Sequence, residues 1–214
     1  EKSVGRLSSA AGVSYPRKGK VDLNLPPRER WAGLMTAHRE EILGHFKAWQ
    51  TVLSHHPEIV VKDWVEVIPR RLMSPEYLGE LEGIFEALGG EAEPRVTWGM
   101  LLAFQAMYEI GSPMGCSELL AAAPDGTVLH GRNLDYKVVS PVFEVEYLRD
   151  NQVAYVSTVY LGHVGLHTAL KAGFFSFGQN TRRVNVGDNT ASALERLRGD
   201  GRLFGDFVRS LVDR

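Results

Sequence analysis

The sequence predicts an α+β fold in which helices come first, a mainly antiparallel sheet follows, and helices return at the end. Between residues 27 and 107, apolar side chains recur three and four positions apart, which is the spacing of one helix face. From residue 116 to 177 the pattern changes to short apolar runs separated by turn residues, which favours strands and hairpins. We therefore expect helices before Gly111 and a sheet after it.

The N-terminal region is expected to combine an arm with a long helix. Residues 1–26 are rich in Ser, Gly, Lys and Pro and predict an arm with one short extended piece from Val21 to Leu25. A long amphipathic helix is predicted from Pro27 to about His55, because proline suits the first helical turn. Apolar helix faces are usually core, although an acyl tunnel or a membrane-docking face is the alternative for Trp31, Leu34, Phe104 and Met107.

Further helices are predicted from their start and stop signals. A second helix is expected around residues 64–71. Ser74 followed by Pro75 starts a third helix, which stops at Gly89-Gly90, and Thr97 caps a fourth that ends at Gly111. Two more are expected near the end of the chain, one starting at Asp188 and one covering 203–211.

The strands are predicted from turn residues that separate apolar runs. Pro124-Asp125-Gly126-Thr127 and Asp150-Asn151 are typical of the turns of two hairpins. The predicted strands are 116–123 with 128–130, 142–147 with 153–160, and a fifth strand at 174–177. The hairpin turn at 124–127 brings the second strand back beside residue 116.

Composition and charge exclude two broad classes of protein. The 214 residues include 24 Lys and Arg against 26 Asp and Glu, a formal net charge of −2. Electrostatic binding to nucleic acid needs a surplus of basic residues on one face, so no nucleic-acid partner is expected. The longest apolar stretches fall short of the roughly 18 residues that cross a membrane, so the chain is not expected to be an integral membrane protein.

The candidate for chemistry is Cys116, the only cysteine in the chain. It stands where the helical part ends and the first strand begins, directly after a loop of small residues that ends in Gly115. If the Gly115–Cys116 peptide bond were cut, Cys116 would carry a thiol and a free α-amine, and such an amine can serve as the base for its own thiol. The alternative is that Cys116 is simply a small buried side chain.

Two charged residues can reach Cys116. Arg132 and Asp135 follow it by 16 and 19 positions, in the strand that the hairpin returns to its side. A nearby cation raises the fraction of reactive thiolate. The alternative for these two residues is an ion pair at a turn.

The residues around this hairpin resemble a known family. The stretches Cys116-Ser117, Asp125-Gly126, His130 to Tyr136 and Tyr160 to Thr168, together with Val21 to Trp31, are similar to acid ceramidases and N-acylethanolamine-hydrolysing acid amidases. These proteins are N-terminal nucleophile hydrolases. The resemblance implies an αββα-type fold, with a helical α-subunit of residues 1–115 and the first part of the catalytic β-subunit in 116–214.

The resemblance also implies a mechanism and partners. The precursor would cut itself between Gly115 and Cys116, Cys116 would be the nucleophile, Asp135 would hold its amine, and Arg132 would position the thiol. The substrate would be an N-acyl lipid, the two chains would stay together as an α/β heterodimer, and peripheral contact with a membrane is allowed. The resemblance implies a lysosomal location. The sequence has no Asn-x-Ser/Thr sequon, and because it starts at Glu1 we expect that a signal peptide has been removed or that the sequence is a piece of a longer protein.

The sequence also departs from the family pattern. The family's β-subunit is much longer than the 99 residues from Cys116 to Arg214, so the sequence is expected to be truncated at its C-terminus, without the oxyanion-hole Asn and a further Arg. Where the family often has Asn-Glu-Arg, this chain has Asn180-Thr181-Arg182.

The function therefore has two main interpretations. The chain is either a self-processing cysteine amidase for N-acyl lipids, or an inactive family member that serves as a binding or regulatory module. A helical scaffold with an incidental cysteine is a third and weaker alternative. The choice between ceramide and an N-acylethanolamine stays open.

The histidines are not expected to form a site. His163 and His167 are four apart, a spacing that would suit a metal on a helix, but they follow a strand and enclose Gly165, so we expect unconnected loop residues. His55 and His56 precede Pro57 and are expected at an exposed helix end. No metal site and no cofactor is predicted.

Overall fold

A computed structural model of the chain describes residues 15–54, 72–107, 116–135, 141–180 and 201–214. The predicted helices at 64–71 and from Asp188, together with His55, His56 and Gly115, lie outside the described residues. The described helices are α1 (Ala32–Ala37), α2 (Arg39–Ser54), α3 (Pro75–Leu88), α4 (Trp98–Gln105) and α5 (Phe204–Val212), with 3₁₀ turns at Pro27–Glu29 and Gly90–Ala92. The described strands are β1 (Arg17–Asp22), β2 (Cys116–Ala122), β3 (Val128–Leu134), β4 (Val142–Arg149), β5 (Gln152–Tyr160), β6 (Thr168–Lys171) and β7 (Phe175–Gly178).

The larger sheet is mixed rather than purely antiparallel. Its order is β1-β4-β5-β6-β7, and all of its neighbouring strands are antiparallel except β1, which runs parallel to β4. The expectation of an arm before Pro27 is therefore wrong for residues 17–22. Gly19 and Val21 face the core and are buried, whereas Lys18 and Lys20 face outward and pair with acidic residues of β4. This alternation of buried and charged positions suits an edge strand with one face on the core and one in water.

Both predicted hairpins are confirmed. β4 and β5 pair antiparallel around Asp150 and Asn151, which have the positive φ angles of 52° and 60° that such a tight turn requires. β2 and β3 form a separate two-stranded sheet that turns through Gly126, at φ 86°. Strand β6 was not predicted, and the strand expected at 174–177 is found at Phe175–Gly178.

The predictions of α3, α4 and α5 are confirmed, and the prediction of one long N-terminal helix is wrong. The Ser74 hydroxyl accepts from the Tyr77 N–H, Gly89 ends α3 with φ 118°, and the Thr97 hydroxyl caps α4 by accepting from Met100. α4 ends at Gln105, earlier than expected. The predicted long helix is divided at His38, which has φ −120° and packs its ring edge-on against Phe143 of the sheet, with the ring centroids 4.7 Å apart.

The helices and the larger sheet share one apolar core. Trp31 meets Tyr147 of β4 edge-on, and Phe104 contacts Phe46 of α2 in the same way. Trp31, Phe104 and Met107 are buried and Leu34 is partly buried against them, so the core interpretation of these side chains is confirmed. Within the described residues, no helix is both long enough and apolar enough to cross a membrane.

Candidate functional site

Cys116 is the first residue of β2 and is partly buried. It pairs with Leu134 of β3, because the turn between the strands returns the chain directly to its side. The Thr127 N–H donates to the Asp125 carboxylate at 2.9 Å, and Ala123 N–H donates to the Thr127 carbonyl at 2.8 Å, which closes that turn. The hairpin therefore has the register that the sequence predicts.

The register brings Cys116, Glu118 and Arg132 to one face of the hairpin. Glu118 is opposite Arg132, and Cys116 is two positions before Glu118. Residues two apart on a strand share a face, and paired residues of an antiparallel ladder point the same way, so Arg132 is the diagonal neighbour of Cys116. The predicted proximity of Arg132 to Cys116 is thus a property of the strand pairing.

The Arg132 guanidinium has hydrogen bonds on both Nη atoms and an ion pair at Nε, and its side chain is almost completely buried. Nε lies 3.2 Å from a Glu118 carboxylate oxygen. Nη1 donates to the His167 carbonyl at 2.6 Å and to the Thr168 hydroxyl, and Nη2 donates to the Gln179 carbonyl. These contacts join β3 to one end of the β6–β7 pair, where the start of β6 lies beside the end of β7 and the Gln179 N–H donates to the His167 carbonyl.

Tyr160 at the end of β5 joins this group of side chains. Burial raises the pKa of Tyr160 to about 12, while the positive charge of Arg132 opposes that rise and Cys116 adds to it. The Tyr160 hydroxyl is therefore within electrostatic reach of both Cys116 and Arg132. The sequence motif contained Tyr160 but gave it no role.

Asp135 lies just after the end of β3 and is exposed. Its carboxylate accepts from the Asn133 side-chain amide at 2.5 Å. Asn133 pairs with Ser117, so it belongs to the opposite face of the hairpin from Cys116. The structure gives Asp135 a partner on that opposite face, and its contact with a Cys116 amine stays a prediction.

No family model matches the chain, but curated proteins do. It is 24% identical to the acid ceramidase of Bos taurus over 214 aligned positions, which cover 90% of this chain and 52% of the bovine protein. The acid ceramidase of Homo sapiens gives the same identity and the same coverage. The N-acylethanolamine-hydrolyzing acid amidase of Caenorhabditis elegans is 23% identical over 184 positions, covering 81% of this chain and 50% of that protein.

The predicted resemblance is confirmed. The chain is similar to acid ceramidase and to N-acylethanolamine-hydrolyzing acid amidase along most of its length. It spans about half the length of the curated relatives it matches. Its α+β architecture, with helices packed on a mixed sheet, is compatible with the fold that the resemblance implies.

His163 and His167 form a buried pair next to Arg132, which donates to the His167 carbonyl. They are 1% and 5% exposed, and their Nε2 atoms are 3.3 Å apart. The expectation of unconnected loop residues is wrong, because the segment after β5 folds inward beneath α4. There Gln105 donates to the Gly162 carbonyl at 2.8 Å and accepts from the Val164 N–H at 2.9 Å, which fixes the inward path of the backbone.

Each ring of the histidine pair has its Nδ1 atom beside an acceptor oxygen. The Gly165 carbonyl can only accept, so we assign the proton of His163 to Nδ1, which donates to it at 3.0 Å. Nδ1 of His167 lies 2.9 Å from Oε1 of Gln179, and the Nε2 atoms of the two rings face each other at 3.3 Å. Burial lowers the pKa of His163 to about 4 and holds the pKa of His167 well below its usual value, so both rings are neutral near pH 7.

Sequence reasoning missed Glu118 and Gln179, and it named His167 only as an unconnected loop residue. A period of two from Cys116 would have found Glu118, because alternate residues of a strand share a face. Nothing local in the sequence indicates that His167 and Gln179 lie together, since their contact depends on the β6–β7 pairing. Among the described residues, no group of three or more His, Cys, Asp or Glu side chains is arranged to hold a metal ion.

Proposed function

We propose that this chain carries the nucleophile of a cysteine amidase that hydrolyses the amide bond of N-acyl lipids. The observation that carries the proposal is the fixed position of Arg132 on the same hairpin face as Cys116, the one cysteine of the chain. The similarity to acid ceramidase and to N-acylethanolamine-hydrolyzing acid amidase supports it, because both names describe hydrolysis of a fatty-acyl amide.

The proposed reaction begins with cleavage of the Gly115–Cys116 peptide bond. Cys116 then carries a free α-amine, which in its neutral form takes the proton of the thiol. The thiolate attacks the carbonyl carbon of the lipid amide, and the amine product leaves with a proton delivered by the α-ammonium. The acyl group remains on sulfur as a thioester until water, deprotonated by the same α-amine, releases the fatty acid and restores the thiol.

Arg132 supports this chemistry through its charge. A cation beside a thiol favours the thiolate, and a guanidinium held by two backbone carbonyls keeps its position when the thiol ionises. Asp135 is proposed to accept a hydrogen bond from the Cys116 amine once cleavage frees it. This requires the Asp135 carboxylate to leave Asn133, whose amide now donates to it.

Several properties of the whole protein belong to the same proposal. Residues 1–115 would be a helical α-subunit and 116–214 the start of a catalytic β-subunit in an N-terminal nucleophile hydrolase fold of the αββα type. The two would remain a heterodimer through the shared core of the helices and the larger sheet. Lysosomal location and peripheral contact with a membrane follow from the resemblance alone.

The test is hydrolysis of two fluorogenic amides by the purified chain, one an N-acylethanolamine analogue and one a ceramide analogue. Release of fatty acid from either is expected for the unmodified protein and is expected to vanish in Cys116→Ala. Leu119→Ser is the matched control, because it alters an exposed side chain on the same strand as Cys116 without touching the thiol. If neither amide is hydrolysed by the unmodified chain between pH 4 and 8, the inactive-module interpretation replaces the enzyme.

A further inference from the structure

Glu118 is the carboxylate that shares a hairpin face with Cys116, and it has two basic neighbours. One of its oxygens lies 3.2 Å from Nε of Arg132, and the other lies 3.6 Å from Nε2 of His130. His130 is fixed from the other side, since its Nδ1 lies 2.8 Å from the Ser176 hydroxyl of β7. Glu118 is therefore a bridge between two residues of β3 on the face that also bears Cys116.

The backbone of β7 leaves a space that this carboxylate fills. A Cβ atom added at Gly178 would lie 1.9 Å from a Glu118 oxygen and 3.0 Å from Cδ of Arg132. A side chain at position 178 is thus incompatible with the observed ion pair. Glycine at this point in the strand permits the close approach of β7 to the hairpin.

Among the residues that the structure describes, the charges facing Cys116 come close to balance. The Arg132 guanidinium contributes one positive charge and Glu118 one negative charge, and His130 and Tyr160 are further titratable side chains close to this pair. His167 reaches Arg132 through its backbone carbonyl, and burial keeps its ring neutral. An ion-paired arginine stabilises a nearby anion less than a bare one does, because the two fields partly cancel.

We propose that Glu118 sets the reactivity of the Cys116 thiol by offsetting the charge of Arg132, which makes it a tuning residue for the proposed reaction. This rests on the proposed function, in which Arg132 acts on Cys116. Within the described part of the chain, Arg132 also donates to His167, Thr168 and Gln179, so the guanidinium keeps its place when the Glu118 charge is removed. Removing that charge then leaves the thiol facing a net positive neighbour.

The single cysteine makes this measurable without any substrate. Alkylation by iodoacetamide, followed by intact mass, reports on Cys116 alone and distinguishes any cleaved chain from the uncleaved one. The assay is run at pH 8, where an ordinary histidine is neutral, and at low and high salt. The variants are Glu118→Gln, Glu118→Asp, Arg132→Gln and the Glu118→Gln/Arg132→Gln double variant, with Glu146→Gln on β4 as the control for net charge.

The charge balance fixes the sign of each effect. Glu118→Gln is expected to speed alkylation about threefold to tenfold at low salt and Arg132→Gln to slow it by a similar factor. The double variant is expected to return close to the unmodified rate, Glu118→Asp to stay close to it, and the differences to shrink at high salt. A residue that only maintained the fold would give changes of one sign and no restoration in the double variant.

The outcomes separate this inference from the function on which it rests. If Arg132→Gln slows alkylation but Glu118→Gln leaves the rate unchanged or lowers it, the role of Glu118 is wrong and the proposed function stands. If Arg132→Gln has no effect, the proposed role of Arg132 in the amidase fails. A Glu146→Gln change as large as that of Glu118→Gln would assign the effect to overall charge and overturn the inference.

Discussion

The β2–β3 hairpin and the body of helices with the larger sheet are stabilised in different ways. In the body, alternate residues of β4 are buried against helices, and the core side chains come from both layers. In the hairpin, Leu119 and Leu120 point to opposite faces, yet they are 69% and 67% exposed. An isolated two-stranded hairpin is marginal in water, so its contacts with the body matter more than its own packing.

This difference locates the candidate nucleophile. Cys116 belongs to the hairpin, whose face is fixed by polar contacts of His130 and Arg132 with the β6–β7 region, while Glu118 pairs with Arg132 inside the hairpin. Polar contacts of this kind are sensitive to charge and pH in a way that apolar burial is not. Stability should therefore depend on the body, and reactivity on the charged residues of the hairpin.

The largest expected effect comes from breaking the buried ion pair of the body. Glu80 on α3 is completely buried and accepts from Arg209 of α5 at 2.5 and 2.6 Å, from Arg30 at 2.8 Å and from the Trp31 indole at 2.5 Å. Glu80→Ala leaves two guanidinium groups without this partner, and we expect the free energy of unfolding in urea to fall by about 3–5 kcal/mol.

The matched control for Glu80 is an acidic residue on the surface of the same body. Glu144 pairs with the exposed Lys18 at 2.9 Å, and Glu144→Ala is expected to change the free energy of unfolding by at most about 1 kcal/mol. Equal losses for Glu80→Ala and Glu144→Ala would contradict the assignment of stability to the buried network.

A second effect is a loss of stability in acid caused by the buried histidine pair. The pKa of His163 falls from its ordinary 6.5 to about 4 on folding, so the unfolded chain binds more protons between those values. The contribution of neutral His163 to the free energy of unfolding is complete above pH 6.5. As the pH falls towards 4, the free energy of unfolding decreases by up to about 3 kcal/mol. Urea unfolding from pH 7 to 4 measures this slope.

Two asparagine variants check the origin of that slope. The His163→Asn/His167→Asn protein is expected to show a clearly shallower pH dependence, because the buried groups that resist protonation are gone. His38→Asn is the control, since the His38 ring is partly exposed beside Glu41. An unchanged slope in the double variant would mean that other groups cause the acid sensitivity.

The smallest expected effect is at the exposed face of the hairpin. Leu119→Ser should change the free energy of unfolding by no more than about 0.5 kcal/mol, because the side chain is largely in water. Leu101→Ala, in the buried face of α4, should cost about 2–5 kcal/mol in the same urea titration. A loss of more than 2 kcal/mol at Leu119 would show that the hairpin is packed like the body.

Local signals predict much of this fold. The Ser74 and Thr97 caps, the Gly89 stop and the Asp150-Asn151 turn depend on a few adjacent residues, and each appears where the sequence predicts it. Parallel pairing of β1 with β4 joins segments more than a hundred residues apart, and no local pattern specifies it. The break of the long helix at His38 likewise depends on a contact with Phe143 of the sheet.

The candidate site divides in the same way. The hairpin turn fixes the register, so the approach of Arg132 to Cys116 follows from the sequence. The inward path of His163 and His167 depends on Gln105 of α4, which the sequence cannot connect to them. Glu118 was within reach of sequence reasoning, but its significance depends on Gly178 of β7.

Cys116 is proposed to be a nucleophile that frees its own α-amine. The most direct measurement is intact mass and N-terminal sequencing of the purified chain after incubation at acidic and neutral pH, beside Cys116→Ala as the inactive variant and Ser117→Ala as the matched control. A fragment that begins at Cys116 is expected in the unmodified chain and in Ser117→Ala, and none is expected in Cys116→Ala. A chain that stays uncut at every pH, or a cut that persists in Cys116→Ala, would contradict it.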